Sequence, residues 1–156
     1  MVYAIIRIKG SIGIDPKVER VLDDLRLRRN FVAVLYPESL NGIKNLLKEG
    51  QSAITWGEID KDALIELIKR RGRFVGDKPI TDDLLKEKFG FGIENFADKI
   101  IKEELYYHKL ENKGIKPFFR LHPPSGGFKL SLKRLYPQGE LGYRGKLINN
   151  LILNMA

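Results

Sequence analysis

The first 57 residues contain three short apolar runs that predict β-strands. Residues 2–9 alternate along the chain, and the even-numbered positions among them are all apolar, which is typical of a strand. Residues 31–36 (FVAVLY) form a continuous apolar run of the length of a buried strand, and Pro37 closes it. Residues 53–56 (AITW) predict a third strand.

Two amphipathic segments separate these strands. Asp15 followed by Pro16 predicts a helix start, because an aspartate side chain caps free amides and proline needs no amide partner at the first helical position. Ser39 is predicted to cap a second helix that Gly50 ends. The order strand–helix–strand–helix–strand predicts an α+β fold whose small three-stranded sheet has both helices on one face. The other face then needs a cover.

The rest of the chain is predicted to be a mainly helical extension. Apolar residues recur at helical spacing in four segments: 60–71 with Asp60 as cap and Gly72 as stop, a short one from the cap Thr81 through Lys88, 93–110, and the C-terminal stretch 145–156. Residues 114–148 are instead basic, aromatic and interrupted by Gly and Pro. We therefore predict a core at 1–58 and an extension at 59–156 that carries a basic extended loop at about 114–148.

The charges are distributed unevenly along the chain. The protein has 28 Lys and Arg against 20 Asp and Glu, a formal net charge of +8. Residues 113–148 hold eight basic residues and one acid, Glu140, whereas the first 112 residues sum to only +1. A nearly neutral body with a basic segment is typical of a protein that binds a polyanion. The alternative is a basic surface that is merely solvated.

Composition also limits the chemistry. The chain has no cysteine, which excludes disulfides, thiolate metal sites and cysteine nucleophiles. The opening MVYAIIRIKG has no basic leader, and no later apolar stretch approaches membrane-spanning length, so we expect a cytosolic protein.

Enzyme signatures are weak. The two histidines, His108 and His122, do not have the spacing of metal ligands. GELGYRGK at 139–146 is similar to a phosphate-binding loop, but its first glycine is one residue too far away and Leu147 replaces the required Ser or Thr. Turns and close packing on another backbone explain its glycines better. We predict no catalytic activity, no metal and no cofactor.

The segment FFRLHPPSGGFKLSLKRL, residues 118–135, is the strongest candidate for binding RNA. Its two prolines stiffen the backbone, and its two glycines allow a sharp reversal and a close approach by another backbone. Cations and aromatic rings alternate around them, as suits RNA phosphates and unstacked bases. The donors are Arg120, His122, Lys129, Lys133 and Arg134, and the rings are those of Phe118, Phe119, Phe128 and Tyr136. For Phe118 and Leu121 the alternative is packing against the domain core.

Two arginine clusters at predicted helix ends are further candidates. Arg26, Arg28 and Arg29 lie at the C-terminal end of the first predicted helix, and Arg71 and Arg73 lie at the end of the third. Their forked guanidinium groups bind phosphate in a bidentate manner. The alternative is that they only complement the helix dipole. Lys69 and Arg70 are expected to be solvated.

Two sequence segments resemble one protein family. Residues 21–60 (VLDDLRLRRNFVAVLYPESLNGIKNLLKEGQSAITWGEID) are similar to the core of the L-thirty family of large-subunit ribosomal proteins. RLHPPSGGFK at 120–129 resembles the loop of its long archaeal and eukaryotic members. The resemblance implies a core related to ferredoxin-like folds, and RNA contacts at Arg26, Arg28, Arg29, Arg120, His122, Ser125, Gly126 and Gly127. Ser125 is a departure, because Arg or Lys often occupies that position in the family.

These observations predict a structural constituent of the large ribosomal subunit that binds folded ribosomal RNA. The resemblance implies a place near the 5S RNA, beside neighbouring ribosomal proteins, with no membrane and no small-molecule substrate as partner. A ferredoxin-like regulatory domain for a small ligand, and an RNA-modifying enzyme that uses His122, remain alternatives. The predicted RNA-binding residues are Arg26, Arg28, Arg29, Arg71, Arg73, Arg120, His122, Ser125, Gly126, Gly127, Lys129, Lys133, Arg134, Arg144 and Lys146.

Overall fold

A computed structural model describes residues 1–10 and 12–156, and its centre is one mixed β-sheet. The six strands are β1 (Val2–Arg7), β2 (Val32–Pro37), β3 (Ile54–Glu58), β4 (Phe118–Arg120), β5 (Ser131–Leu135) and β6 (Gly139–Tyr143). They lie in the order β4-β2-β1-β3-β6-β5. β1 is antiparallel to β2 and β3, β4 is antiparallel to β2, and β6 is parallel to β3. β5 pairs with β6 in a parallel direction at the outer edge of the sheet, and the register of this pairing is irregular.

The α+β class is confirmed, but the predicted three-stranded sheet is wrong. The extension adds β4 beside β2, where Phe118 lies opposite Val34, and adds β6 beside β3, where Gly142 lies opposite Thr55. A three-stranded sheet would have left the outer backbone groups of β2 and β3 unpaired, and the added strands satisfy them. The division into a core at 1–58 and an extension at 59–156 stays a prediction.

The alternation of β1 produces two cores, one on each face of the sheet. Tyr3 and Ile5 face α1 (Pro16–Asp24) and α2 (Ile43–Glu49), as the placement of both helices on one face predicted. The even-numbered residues face the second core, together with Ala33 and Leu35 of β2.

The extension supplies the cover that the second face needs. Its helices are α3 (Lys61–Arg71), α4 (Asp82–Phe89), α5 (Ile93–Ile101) and α6 (Ile148–Met155). Tyr107 and Phe119 stack at the centre of this core with their ring centroids 4.9 Å apart, and both side chains are almost completely buried. Burial of such large apolar surfaces joins the extension firmly to the sheet.

Most helix boundaries agree with the sequence. Asp15, Asp60 and Thr81 cap α1, α3 and α4 by accepting hydrogen bonds from backbone amides. The prediction of Ser39 as the cap of the second helix was wrong. α2 begins after Gly42, and the Ser39 hydroxyl instead donates to Glu103.

The predicted helix over 93–110 is also shorter than expected. α5 ends at Ile101, and a separate 3₁₀ helix covers Tyr107–Lys113. Glu103 has φ +60°, so the chain changes direction there. The change lets Tyr107 enter the core, and burial of the ring outweighs continuation of the helix.

The glycines of residues 139–145 have one of the two roles predicted for them. Gly142 has φ +81°, a backbone conformation that side chains disfavour. A Cβ atom on Gly139 would collide with the backbone of Arg134. The close backbone packing expected at these positions is therefore confirmed, whereas the expected turns are not, because Gly139 and Gly142 lie within β6.

Asp82 links α4 to α5, and removal of its side chain should lower the thermal stability measurably. Its carboxylate accepts a hydrogen bond from the Ile93 amide at 2.8 Å, which caps α5 where Gly92 offers no side chain. This bond, and then Lys86, lower the pKa of Asp82, so its stabilising effect is present above the ordinary aspartate pKa and is lost as pH falls through the lower folded value. We expect Asp82→Ala to lower the melting temperature by about 3 °C at neutral pH.

The matched control for this prediction is Asp83→Ala, in the same turn of α4. Asp83 makes no such bond to α5, so its replacement should change the melting temperature by less than about 1 °C. Equal losses in the two variants would show that the carboxylate of Asp82 does not cap α5.

Candidate nucleic-acid interface

Three cationic segments that lie far apart in the sequence meet at the β4 edge of the sheet. Two adjoining cavities, of about 190 and 220 Å³, share the side chains of Phe118 and Arg120. We define the β4 cation surface as the basic residues that line them: Arg26, Arg28, Arg29, Arg71, Arg73, Lys116 and Arg120. Asp77 is the one acidic side chain in their described lining.

The segment after α1 directs its arginines outward. Leu25 and Leu27 are buried, and the intervening Arg26 has φ +65°. The completely buried Arg7 fixes this turn, because its guanidinium donates to the backbone carbonyl of Leu27 at 2.7 Å. Arg28 is consequently held on the outside of the domain.

The helix dipole does not account for Arg28 and Arg29. α1 ends at Asp24, so both residues lie beyond its last turn, where the dipole has little effect. Both are exposed, and neither forms an ion pair within residues 1–10 and 12–156. Arg26 differs, since it donates to the His108 carbonyl at 2.8 Å and lies 3.4 Å from a Glu111 carboxylate oxygen.

The end of α3 supplies the second part of the surface. Arg71 is its last residue, and Arg73 follows the C-cap Gly72 and donates to the Gly72 carbonyl. Isolated bridges join Arg73 to Pro79 and Phe74 to Ile115, so this turn lies beside the segment that enters β4. The preceding residue of the helix, Arg70, is exposed as expected and does not line either cavity.

The aromatic rings of residues 118–136 have different roles. Phe119 and Leu121 are buried in the second core, so packing explains both. Phe118 is half-buried against the first core, and the Arg120 guanidinium carbon lies 5.7 Å from its ring centroid. Phe128 lies 6.1 Å from Phe31. Of these rings, that of Phe118 is the one that lines both β4 cavities, whereas Phe128 and Tyr136 line a different cavity.

The Pro-Gly loop, residues 122–127, crosses the C-terminal end of α6. The His122 amide donates to the Met155 carbonyl at 2.8 Å, and the Ser125 amide donates to the Asn154 carbonyl at 3.4 Å. Gly126 and Gly127 have φ +78° and +79°, which makes the chain reverse as predicted. His122, Ser125 and both glycines are exposed there.

A second basic area lies at the opposite edge of the sheet. We define the β5 cation group as Lys129, Lys133 and Arg134, which are all exposed; Lys146, in the 3₁₀ helix after β6, is exposed as well. Five strand spacings separate β4 from β5, or about 24 Å. The predicted site is therefore divided into two surfaces that the Pro-Gly loop connects.

Arg144 lies on neither surface, and its predicted contact with RNA stays a prediction. It is 9% exposed, and its guanidinium donates to Thr55 Oγ1 at 2.8 Å and to a Glu140 carboxylate oxygen at 2.7 Å. Its Nε and Nη2 donors are engaged within the protein and hold β6 against β3.

Lys116 was missing from the predicted site. It lines the larger cavity and pairs with Asp77. The pKa of Asp77 is lowered first by its hydrogen bond to Lys116 and by that lysine's charge, and then by Arg120 and Arg73. Local sequence carries no signal for this proximity, because it arises from the bridge between Phe74 and Ile115.

Other kinds of site find little support in the described part of the chain. Residues 1–10 and 12–156 contain no cluster of His, Asp and Glu that could hold a metal ion. Within the same ranges, no helix is both long and apolar enough to cross a bilayer. The arrangement of the β4 cation surface suits anion binding.

Comparison with known proteins agrees with the resemblance seen in the sequence. The family model described as Ribosomal protein L30p/L7e matches residues 3–49. Large ribosomal subunit protein uL30 of Aeropyrum pernix is 50% identical over 155 residues, which cover 98% of both chains. The uL30 protein of Hyperthermus butylicus is 53% identical over 98% of this chain and 89% of that relative. From this similarity over almost the full length, the chain belongs to the ribosomal protein L30p/L7e family, a family of structural proteins without enzymatic activity.

Proposed function

We propose that this protein is a structural constituent of the large ribosomal subunit and stabilises folded ribosomal RNA by neutralising its phosphates. The β4 cation surface is the main contact in this proposal. The Pro-Gly loop and the β5 cation group make a second contact at the opposite edge of the sheet. In that setting the protein works in the cytoplasm, near the 5S RNA and beside other ribosomal proteins.

The convergence of three distant cationic segments on Phe118 is the observation that carries the proposal. On the helices α3, α4 and α5, a cation is paired with an acid one helical turn away, as in Asp82–Lys86 and Asp98–Lys102. Such pairing is typical of a solvated helix surface. The β4 cation surface instead concentrates seven basic side chains, with Asp77 as the one carboxylate in the cavity lining and Glu111 paired with Arg26 beside it. A high local positive potential of this kind favours a polyanion.

The proposed mechanism is electrostatic and geometric. Arginine side chains such as Arg28 and Arg29 bind phosphate oxygens through two parallel N–H donors. The ring of Phe118 offers a stacking face for an unpaired base between the two cavities. Binding releases counterions from the RNA. The bound protein then fixes the relative positions of the RNA segments that converge on it.

The two basic surfaces allow one protein to engage two RNA segments. They lie at opposite edges of the sheet, and residues 121–130 run from one to the other past α6. In the proposal, the exposed turn at Ser125–Gly127 enters the space between those RNA segments. Its lack of bulky side chains permits close approach to a sugar-phosphate backbone.

The alternatives explain these features less well. A small-ligand regulatory domain would use a mostly apolar pocket with a few polar groups, whereas both β4 cavities are lined mainly by cationic side chains. An RNA-modifying enzyme would need His122 to be oriented by another side chain. In residues 1–10 and 12–156, no side chain forms a hydrogen bond with the imidazole of His122.

The proposal predicts which RNA accompanies the protein from cells. After ultraviolet crosslinking and purification of the tagged chain at moderate salt, sequencing should show enrichment of large-subunit ribosomal RNA. Crosslinked peptides should include Phe118 or the Arg28–Arg29 segment, because these lie at the proposed contact. Recovery of other RNA classes in proportion to their abundance would contradict the proposal.

A further inference from the structure

The larger β4 cavity has the features of a site for a single anion. Four cations line it, Arg71, Arg73, Lys116 and Arg120, and the carboxylate of Asp77 faces them. Its volume of about 220 Å³ is below the roughly 300–1,000 Å³ of pockets that hold drug-sized ligands. A small anion with several acceptor oxygens therefore fits the cavity better than a whole nucleotide does.

The donors in this cavity are only partly used within the protein. Lys116 pairs with Asp77, and Arg73 donates to the Gly72 carbonyl. The Nε atom of Arg71 is buried and has no hydrogen-bond partner in the described part of the chain. A buried donor without a partner is costly, so this part of the cavity wall is not fully satisfied by the protein itself.

A tight turn holds Asp77 at the mouth of the cavity. The Phe74 amide donates to the Lys78 carbonyl at 2.8 Å, and the Asp77 amide donates to the Phe74 carbonyl at 3.1 Å. Asp77 itself has φ +63°, which only a few residue types, including Asp and Asn, adopt readily. The turn thus presents a carboxylate to the cations where an external anion would bind.

We propose that this cavity binds one backbone phosphate of RNA, and that Asp77 holds Lys116 in the free protein until the phosphate replaces its carboxylate. This inference rests on the proposed function and assigns one contact within it. The second cavity adjoins the first through Phe118 and Arg120, so a neighbouring phosphate of the same strand reaches Arg28 and Arg29. That continuity favours an RNA strand over an isolated acidic side chain of a partner protein.

The first test measures binding of inorganic phosphate to the full-length chain at constant ionic strength, with chloride as the replaced anion. Asp77→Asn keeps the turn, because Asn also adopts positive φ, but removes the competing charge. We expect its affinity for phosphate to be about two- to fivefold higher than that of the wild type. An unchanged or lower affinity would overturn the role assigned to Asp77.

Asp98→Asn is the matched control, because Asp98 also pairs with a lysine, Lys102, at 3.0 Å but lies outside the cavity. Its phosphate affinity should equal that of the wild type. A rise equal to that of Asp77→Asn would show a general charge effect and would overturn the local site.

The second test separates this site from the proposed function. Arg73→Met, with folding checked by circular dichroism, should abolish phosphate binding and reduce the salt slope of RNA binding by about 1. If Arg73→Met changes neither quantity while Arg28→Gln weakens RNA binding, the phosphate site is wrong and the proposed function stands. If neither variant affects RNA binding, the proposed function fails. Tighter binding of a polyglutamate peptide than of an RNA strand would overturn the choice of RNA.

Discussion

Replacement of Arg28, Arg29 and Arg120 together by glutamine should lower the affinity for large-subunit ribosomal RNA by about a hundredfold or more. All three side chains are exposed and line the cavity beside Phe118. Each hydrogen bond to a charged group contributes about 1.5 kcal/mol or more, and about 1.4 kcal/mol corresponds to a tenfold change in affinity. Filter binding or fluorescence anisotropy at about 0.1 M salt would measure the loss of affinity, because this salt concentration does not fully screen the phosphate contacts.

The matched control removes the same charge elsewhere. Lys44, Lys48 and Lys61 are exposed on α2 and at the start of α3, away from both β4 cavities. Their joint replacement by glutamine should weaken binding only slightly, through the lower net charge. If the two triple variants lose equal affinity, the β4 cation surface has no special role in the interaction.

Replacement of Arg144 by alanine should strongly destabilise the fold. The side chains of Arg144 and Glu140 are 7% and 6% exposed, and the guanidinium also donates to Thr55. Removal of one partner leaves the other charge buried and uncompensated, which costs about 3–5 kcal/mol. Thermal unfolding should show a melting temperature roughly 10 °C lower for a chain of this size.

The control for Arg144→Ala is another Arg–Glu pair, Arg70 with Glu66, at the surface of α3. Both of its side chains are largely exposed, so Arg70→Ala should cost at most about 1 kcal/mol. Arg144→Met combined with Glu140→Gln should recover part of the stability, because no unpaired charge remains. If Arg144→Ala has the same melting temperature as the wild type, the buried ion pair does not have the stabilising role expected of it.

Local patterns predicted the first half of the fold well. The alternation of residues 2–9 determined which side of β1 faces each core, and the caps Asp15, Asp60 and Thr81 located three helix starts. These signals are reliable because they depend on neighbouring residues. The prediction that Ser39 caps α2 was wrong because a serine before an apolar stripe also fits a turn. The Ser39 hydroxyl donates to Glu103 instead.

The remaining strands could not be predicted because long-range pairing creates them. β4 has only three residues, and its partner β2 lies more than eighty residues earlier in the chain. β6 is rich in glycine, which disfavours strands when it is considered locally. Both strands form because they complete the edges of the sheet beside β2 and β3.

The candidate site shows the same division between local and long-range information. Composition indicated the arginine clusters and the Pro-Gly loop, but it did not reveal that Arg28, Arg73 and Arg120 line adjoining cavities. Arg144 lies in the same basic segment and is nevertheless buried. The number of cations in a segment therefore predicts a polyanion partner, whereas the sheet topology determines which of them face it.

The salt dependence of RNA binding tests the central claim most directly. The affinity of the wild-type protein for large-subunit ribosomal RNA would be measured at several salt concentrations. If the protein neutralises about six phosphates, the logarithm of the affinity falls against the logarithm of salt with a slope near −5, or about a thousandfold between roughly 50 and 200 mM. An affinity that stays constant over this range would contradict phosphate neutralisation as the basis of binding.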